Sequence, residues 1–357
     1  MASQKALILT AKGAPFTVVE RPIPTPGPGE VLVKLAATAL NPIDYAIGLY
    51  GFAITEYPAI AGCDAAGTIE ALGEGVEGTG PAKDDRVSFE RLKFTLDHGT
   101  FQQYVLINAK RTYKIPAAIS LEAASTMPLC LMTAGLALYG PHGPRGGAAL
   151  TAPWTEEGLG KYKDQPVIVF GGSSSVGQFA LQFLKLSGFN PIIATASAHN
   201  EAYVRAAGAT HLIDYHTTPY AALPEAVAKI TSAPFPLVFD AIANEETQRA
   251  AWGLTGAGGT LALVRAPVVG EPNVVLDNGR RIAFVWGAVN YMDEQAAGRE
   301  WADKMYAGLE AFLADGRLRP NKWEAVPGGL AGIPAALEKV AKLQSSGAKM
   351  VAKVDTA

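Results

Sequence analysis

Only two cysteines, Cys63 and Cys130, occur in the 357 residues, too few for a disulfide framework, so a reducing, cytoplasmic setting is expected. Charge of one sign is also lacking. Thirty Lys and Arg against 33 Asp and Glu leave a net −3, which removes the electrostatic case for nucleic acid or an anionic membrane. No apolar run reaches the ~18 residues of a membrane span. The opening MASQKALILTAKG lacks a signal peptide's charged start, long apolar stretch and cleavage site. The five histidines are scattered without metal-ligand spacing, and no G-x-S-x-G elbow occurs. No repeat of solenoid period is present. What remains is a chain 49% apolar and 18% charged, the composition of a well-packed protein. Its length exceeds the size at which one core stops growing, so two domains are expected.

The first ~125 residues carry short strand-like pieces (KALILT, FTVVE, EVLVKLAATAL, AAGTIEALG, DRVSF, FQQYVLI) separated by Pro- and Gly-rich turns. SLEAASTMPLCLMTAGLALYG then reads as buried helix, and residues 141–166 lack periodicity, as a surface insertion or part of a lid would. From residue 167 strand and helix alternate through VIVF, PIIATAS, THLIDY, LVFDAI, GTLALV and RIAFVWG. That alternation predicts a doubly wound parallel α/β sheet. Two helical patterns and the strand-like KMVAKV close the chain.

One stretch, VIVFGGSSSVGQFALQFLKLSG over 167–188, places a glycine turn between the first of these strands and its helix. Backbone amides of Gly172, Ser173, Ser174, Ser175, Val176 and Gly177 can there face a pyrophosphate. The spacing G-x-G-x-x-G is met at Gly172 and Gly177, with Ser174 in the middle position. Either its hydroxyl donates to a phosphate oxygen, or the turn joins strand to helix and binds nothing. About twenty residues on, an acid would select NADH. Ser197 stands there instead, followed by His199 and Asn200, with Arg205 and Tyr215 further along. This set, without the acid, favours the 2′-phosphate of NADPH.

PGPGEVLVKLAATALNPIDY, YPAIAGCDAAGTIEALGEGV, DDRVSF, the stretch from GTFQQYVLI to STMPL, TAGLAL, the glycine turn and SSGAKMVAKV together resemble the medium-chain dehydrogenase/reductase superfamily over nearly the whole chain. That resemblance implies a Rossmann sheet plus a discontinuous GroES-like, β-rich catalytic domain, with the cofactor in the cleft between them. The expected division is 1–128 catalytic, 129–290 Rossmann with the insertion at 141–166, and 291–357 returning to the catalytic domain. NPID resembles the zinc-independent quinone and enoyl reductase branch. Where zinc enzymes carry ligands, this chain has Asn41 and Cys63-Asp64, which with His98 make only an improvised set, so no metal is expected. VFGGSSSVG, SGFNPIIATASAHN and AAGATHLIDY resemble, more narrowly, fungal trans-acting enoyl reductases and their ToxD-like relatives. Those polyketide enzymes can carry a lysine where this chain has Ala46.

The reaction so implied is hydride transfer from NADPH to an activated double bond of an enone or enoyl substrate, or to a quinone. Tyr45 and Tyr50 follow the NP turn, and Tyr50 in IGLYG resembles the tyrosine of a quinone-reductase pattern. Either hydroxyl orients a carbonyl or relays a proton, or both rings merely pack. Asn41 either donates its amide to substrate or cofactor or stabilises the turn before Pro42. Thr133 matches the family threonine near the nicotinamide, or else bonds its own helix. Asp44 is expected to hold its loop, and Asp85 and Arg86 to form a turn and ion pair. Two other functions remain open: a trans-acting enoyl reductase serving a megasynthase carrier protein, and a structural or redox-sensing nucleotide-binding protein with little catalysis. A monomer or homodimer is expected.

Overall fold

The computed structural model describes residues 2–91, 95–143, 146–276, 278–285, 287 and 296–354. The chain forms two units, Met1–Leu129 with Leu309–Ala357, and Cys130–Gly308. The second crossing thus falls at 308–309, later than the 290–291 expected from sequence, a junction outside the described residues.

The first unit opens with β1 (Ser3–Leu9), β2 (Thr17–Pro22), β3 (Glu30–Ala39), α1 (Pro42–Tyr50) and β4 (Ala59–Ile60). It continues through β5 (Asp64–Leu72), β6 (Arg86–Glu90), β7 (Tyr104–Asn108), β8 (Tyr113–Lys114) and α2 (Leu121–Ser125), and α3 (Pro128–Tyr139) crosses into the second unit. The second unit runs β9 (Val167–Phe170), α4 (Ser175–Leu186), β10 (Ile192–Thr195), α5 (Glu201–Ala207) and β11 (His211–Ile213). It goes on through α6 (Leu223–Ala228), β12 (Phe235–Asp240), α7 (Glu245–Leu254), β13 (Thr255–Leu263) and β14 (Arg281–Phe284). Helix α8 (Ala296–Ala314) returns the chain to the first unit, which closes with β15 (Trp323–Ala325), α9 (Ile333–Ala341) and β16 (Lys349–Lys353).

In the first unit, β15-β16-β3-β5-β6-β8 form one sheet with β7 also on β3, and β2-β1-β4 form a small second sheet. The last strand therefore pairs with the third, which makes this unit depend on both ends of the chain. Its core gathers Val31, Val33, Leu35, Val87 and Phe89 with Ile333, Leu337 and Met350. Asp85 and Arg86 do not pair with each other. Asp85 reaches Lys114 at 2.9 Å, while Arg86 donates to the Pro116 and Ile119 carbonyls.

In the second unit, six parallel strands take the order β11-β10-β9-β12-β13-β14. VIVF of β9 and IIAT of β10 are buried at all four positions, as central strands covered on both faces must be. Strand order reverses between β9 and β12, so the carboxyl ends of these two strands mark the switch point where ligands of such sheets bind.

Within residues 141–166, the stretch from 146 to 166 is tied to this unit by hydrogen bonds and ring contacts. The Ala148 and Leu150 amides donate to the Ala137 and Leu138 carbonyls at 2.8 and 3.0 Å, and those of Gly160 and Tyr162 to Leu186 and Ser187 at 2.8 Å. Tyr162 stacks on Phe189, and the Trp154 ring meets Tyr139, Phe183 and Trp301 edge-on. A Cβ on Gly308 would run into Trp154, so the glycine permits that approach. Trp154→Ala is expected to cost about 3 kcal/mol by removing this aromatic contact. Urea unfolding with tryptophan-independent far-UV detection checks it, and an unchanged midpoint would show that the segment is not anchored there.

Candidate active site

The glycine turn is built by contacts to the neighbouring strand. The Gly171 amide donates to Thr195 Oγ1 at 3.1 Å and the Gly172 amide to the Thr195 carbonyl at 2.9 Å. Gln178 Nε2 returns from α4 to the Gly172 carbonyl at 2.8 Å. The left-handed residue is Gly171, with φ of 73°, one position before the glycine that the motif singles out. A Cβ on Gly177 would overlap the Gly171 carbonyl oxygen, so α4 can approach the turn only through a glycine. Ser174 is the N-cap of α4, its Oγ accepting from the Gly177 amide at 3.0 Å. The serine thus has a structural duty that the bare motif does not reveal, while its hydroxyl hydrogen stays free to donate. The amides of Ser175 and Val176, first in the helix, have no carbonyl one turn earlier. Together with the side-chain-free cradle they fit the pyrophosphate of a dinucleotide.

Asp240 ends β12 across the switch point, and sequence reasoning missed it. Its Oδ1 accepts from the Ile242 and Ala243 amides at 2.9 and 2.8 Å, holding a turn whose Ile242 side chain lies over Gly171. Burial pushes this carboxyl above its ordinary pKa. At the end of β10, Ser197 is 5% exposed. Its Oγ lies 2.8 Å from the Tyr215 hydroxyl and 3.1 Å from His216 Nε2. His199 Nε2 and Asn200 Nδ2 are 3.1 Å apart. Arg205 turns elsewhere, to Glu201 at 2.7 Å and the Thr210 carbonyl at 2.6 Å.

In the first unit, Asn41, Asp44, Cys63, Asp64 and Lys349 come together without solvent. Lys349 Nζ lies 2.6 Å from Asp64 Oδ2 and 2.9 Å from Asn41 Oδ1, while Asn41 Nδ2 donates to Asp64 Oδ2 at 3.0 Å. Both ends of the Asn41 amide are therefore used inside the unit, which favours its role in the turn over donation to a substrate. Asp44 Oδ2 accepts from the Asn41 backbone amide at 2.8 Å, so Asp44 does hold the start of α1.

Tyr45 and Tyr50 are not brought together, since five helical positions place them about 140° apart around α1. Tyr45 lines a cavity of about 280 Å³ with Phe16, Leu337 and Glu338, in keeping with the packing alternative. Tyr50, the last residue of α1, is 63% exposed and shares a face with Ala46 one turn earlier. Gly51 follows in the left-handed conformation and ends the helix. Thr133 is buried on α3, its Oγ1 3.5 Å from the Gly287 carbonyl at the outer limit of a hydrogen bond.

These residues do not fit a catalytic zinc. Both Asp64 oxygens are engaged by N–H donors, and burial pushes the Cys63 thiol well above its ordinary pKa, away from the thiolate that a metal needs. His98 is engaged by Thr95 and Glu30. Among the described residues no three His, Cys, Asp or Glu groups converge as a metal site.

A doubly wound sheet with a glycine-serine cradle at its switch point, joined to a β-rich unit made from both chain ends, is the architecture of a nicotinamide-dependent oxidoreductase. Residues 27–117 match the alcohol dehydrogenase GroES-like domain, and residues 175–295 the zinc-binding dehydrogenase family. A trans-enoyl reductase of Aspergillus flavipes is 32% identical, covering 97% of this chain and 98% of its own. Among solved structures, a mycobacterial protein complexed with NADPH is similar with a TM-score of 0.73 at 21% identity, over 98% and 99% of the two chains. The CurK enoyl reductase is similar with a TM-score of 0.77 at 19% identity, over the same shares. The chain belongs to the medium-chain dehydrogenase/reductase superfamily and is an oxidoreductase of that family.

The buried acid Asp44 supplies a test of this site's electrostatics. Burial raises its pKa from 3.8 to about 6, against the opposing pull of Arg91. The folded protein therefore binds this proton more tightly than the unfolded chain, and the stability this group contributes falls as pH rises from about 4 to about 6. Above pH 6 the ionised form carries a cost on the order of 3 kcal/mol. Asp44→Asn keeps an acceptor for the Asn41 amide and removes that charge. The variant is expected to be more stable than the parent at pH 7.5, with the difference closing toward pH 4. Denaturant melts at both pH values measure it.

Proposed function

We propose that this protein is a zinc-independent, NADPH-dependent reductase of an activated carbon–carbon double bond in an enone or enoyl substrate, or of a quinone. The observation that carries the reading is the pairing of two features in one unit. A glycine-serine cradle for a pyrophosphate stands at the switch point, and after β10, where an acid would select NADH, stands Ser197 in contact with Tyr215 and His216 from the turn after β11.

When bound, the nicotinamide supplies the hydride that adds to the β-carbon, leaving an enolate on the substrate. The chain's own work is to hold the dinucleotide and to stabilise the developing negative oxygen without a metal. Ser173, Ser175, Val176 and the capped Ser174 hold the pyrophosphate. Ser197, His199, Asn200 and Tyr215 take the 2′-phosphate. The exposed Tyr50 hydroxyl donates to the substrate carbonyl oxygen and passes a proton toward the α-carbon. Thr133 Oγ1, beside Gly287, is the polar group for the nicotinamide end.

A carrier-bound enoyl thioester is a second reading, favoured by the likeness to a fungal trans-enoyl reductase over nearly the full length of both chains. Ala46, on the Tyr50 face of α1, sets this chain apart from polyketide enzymes with a lysine there. NADPH oxidation with enones, quinones and free and carrier-bound enoyl thioesters separates the readings. Turnover of the free acceptors is expected, and tight NADPH binding with no turnover of any acceptor would defeat both. Tyr50→Phe is expected to lower kcat on the best acceptor by about 100-fold, with NADPH affinity unchanged. Unaltered turnover would remove Tyr50 from the chemistry.

A further inference from the structure

The fixed cation that commonly neutralises a 2′-phosphate is missing from both segments at this end of the sheet. Residues 196–200 read Ala-Ser-Ala-His-Asn and residues 214–218 read Asp-Tyr-His-Thr-Thr, with no lysine or arginine in either. Arg205, a little further along, is spent on Glu201 and the Thr210 carbonyl. The groups in these segments that can carry positive charge are imidazoles. His199 Nε2 faces the Asn200 amide. His216 stands inside the polar cluster, its Nε2 3.1 Å from Ser197 Oγ, whose other neighbour is the Tyr215 hydroxyl at 2.8 Å. The imidazole is held in place. Tyr215 lies against it at 4.4 Å between ring centroids, and its own backbone amide donates to Asp214 Oδ1 at 2.9 Å.

On the reading that NADPH is the cofactor, the geometry points to His216 as the residue that selects its 2′-phosphate, with the strength of selection set by protonation of the ring. A protonated imidazole donates a charge-assisted hydrogen bond to a phosphate oxygen, while a neutral one offers no charge. The preference for NADPH over NADH therefore weakens as pH rises. Asp214 and Tyr215 flank His216 on its own turn, and the segment that carries its partner Ser197 also carries His199 and the Glu201–Arg205 pair. On the following helical turn stands Tyr220, with Asp240 and Glu246 beside it. Arg205 is the one fixed cation of this set, and it is paired. The phosphate's own second ionisation, near pH 6, adds negative charge as pH rises and so works in the opposite direction. It is about three-quarters complete at pH 6.5 and about nine-tenths at pH 7, which leaves the imidazole as the main changing partner above that.

The test is direct binding. Dissociation constants for NADPH and for NADH are measured by fluorescence titration at pH 6.5, 7.5 and 8.5 for the parent, His216→Gln and His216→Lys. His216 lies on the surface, so both variants are expected to fold, and their melting temperatures verify it. In the parent the ratio of NADH to NADPH constants is expected to fall about tenfold from pH 6.5 to 8.5. His216→Gln should start about tenfold lower and stay flat, and His216→Lys should hold a high ratio throughout. A parent that prefers NADPH equally at all three pH values overturns the role of His216 and leaves the cofactor reading standing. A His216→Gln variant that keeps the parent's slope does the same. Equal affinity for the two cofactors at every pH overturns both.

Discussion

Asp64, with no exposed surface, receives three N–H donors from three distant parts of the chain. They are the Leu129 amide at 2.7 Å, the Lys349 ammonium at 2.6 Å and the Asn41 side-chain amide at 3.0 Å. A carboxylate and an ammonium buried together cost several kcal/mol of desolvation each, and the arrangement holds only because every oxygen finds donors. Lys349 belongs to the last strand and Asn41 to the turn before α1, 308 residues earlier. Strand β16, the start of α1, the start of β5 and the start of α3 are thus fixed to one point. Tyr50 inherits its position from that point, since α1 begins at the residue Asp64 holds and ends at the left-handed Gly51.

Held in this way, the same carboxylate is a poor ligand for a metal. A catalytic metal asks for deprotonated ligands with open lone pairs. Both Asp64 oxygens already accept from N–H groups, and burial pushes the Cys63 thiol well above its ordinary pKa against the opposing pull of Arg91. Lys349 is a cation locked to that carboxylate. On the proposed reading, stabilisation of a developing oxyanion falls to hydroxyl and amide donors, and the exposed Tyr50 is the candidate among them.

What could be read from sequence follows the range of the interactions. The alternation of six strands with helices was legible because short apolar runs alternate with amphipathic helices, a local pattern, whereas the order of the strands came from the structure. The glycine turn was legible as a place, yet its mechanics were not. The left-handed residue is Gly171 rather than Gly172, and Ser174 serves α4 as its cap, facts fixed by backbone geometry instead of spacing. The Asp85–Arg86 pair was a misreading of adjacency. Asp85 closes the turn before β6, with its carboxylate on the Ala82 amide and Lys114, while Arg86 begins the strand and donates to the Pro116 carbonyl. The Asp64–Lys349 pair, 285 residues apart, leaves no signal in any window of sequence. The anchoring of 141–166 through Trp154 was equally hidden, because a segment without periodicity can still be held by one large ring.

The two buried acids at the strand ends show how one residue type serves opposite purposes. Asp64 is surrounded by donors that include a full positive charge, and its ionised form is the one that binds the unit together. Asp240 meets backbone amides of a single tight turn and is pushed toward its neutral form by burial. Its Oδ1, held by the Ile242 and Ala243 amides, shapes the 241–243 turn whose Ile242 side chain lies over Gly171. Electrostatics in each unit therefore follows from what the surroundings offer the acid: a cation brought from the far end of the chain in one, and the two amides of Ile242 and Ala243 in the other.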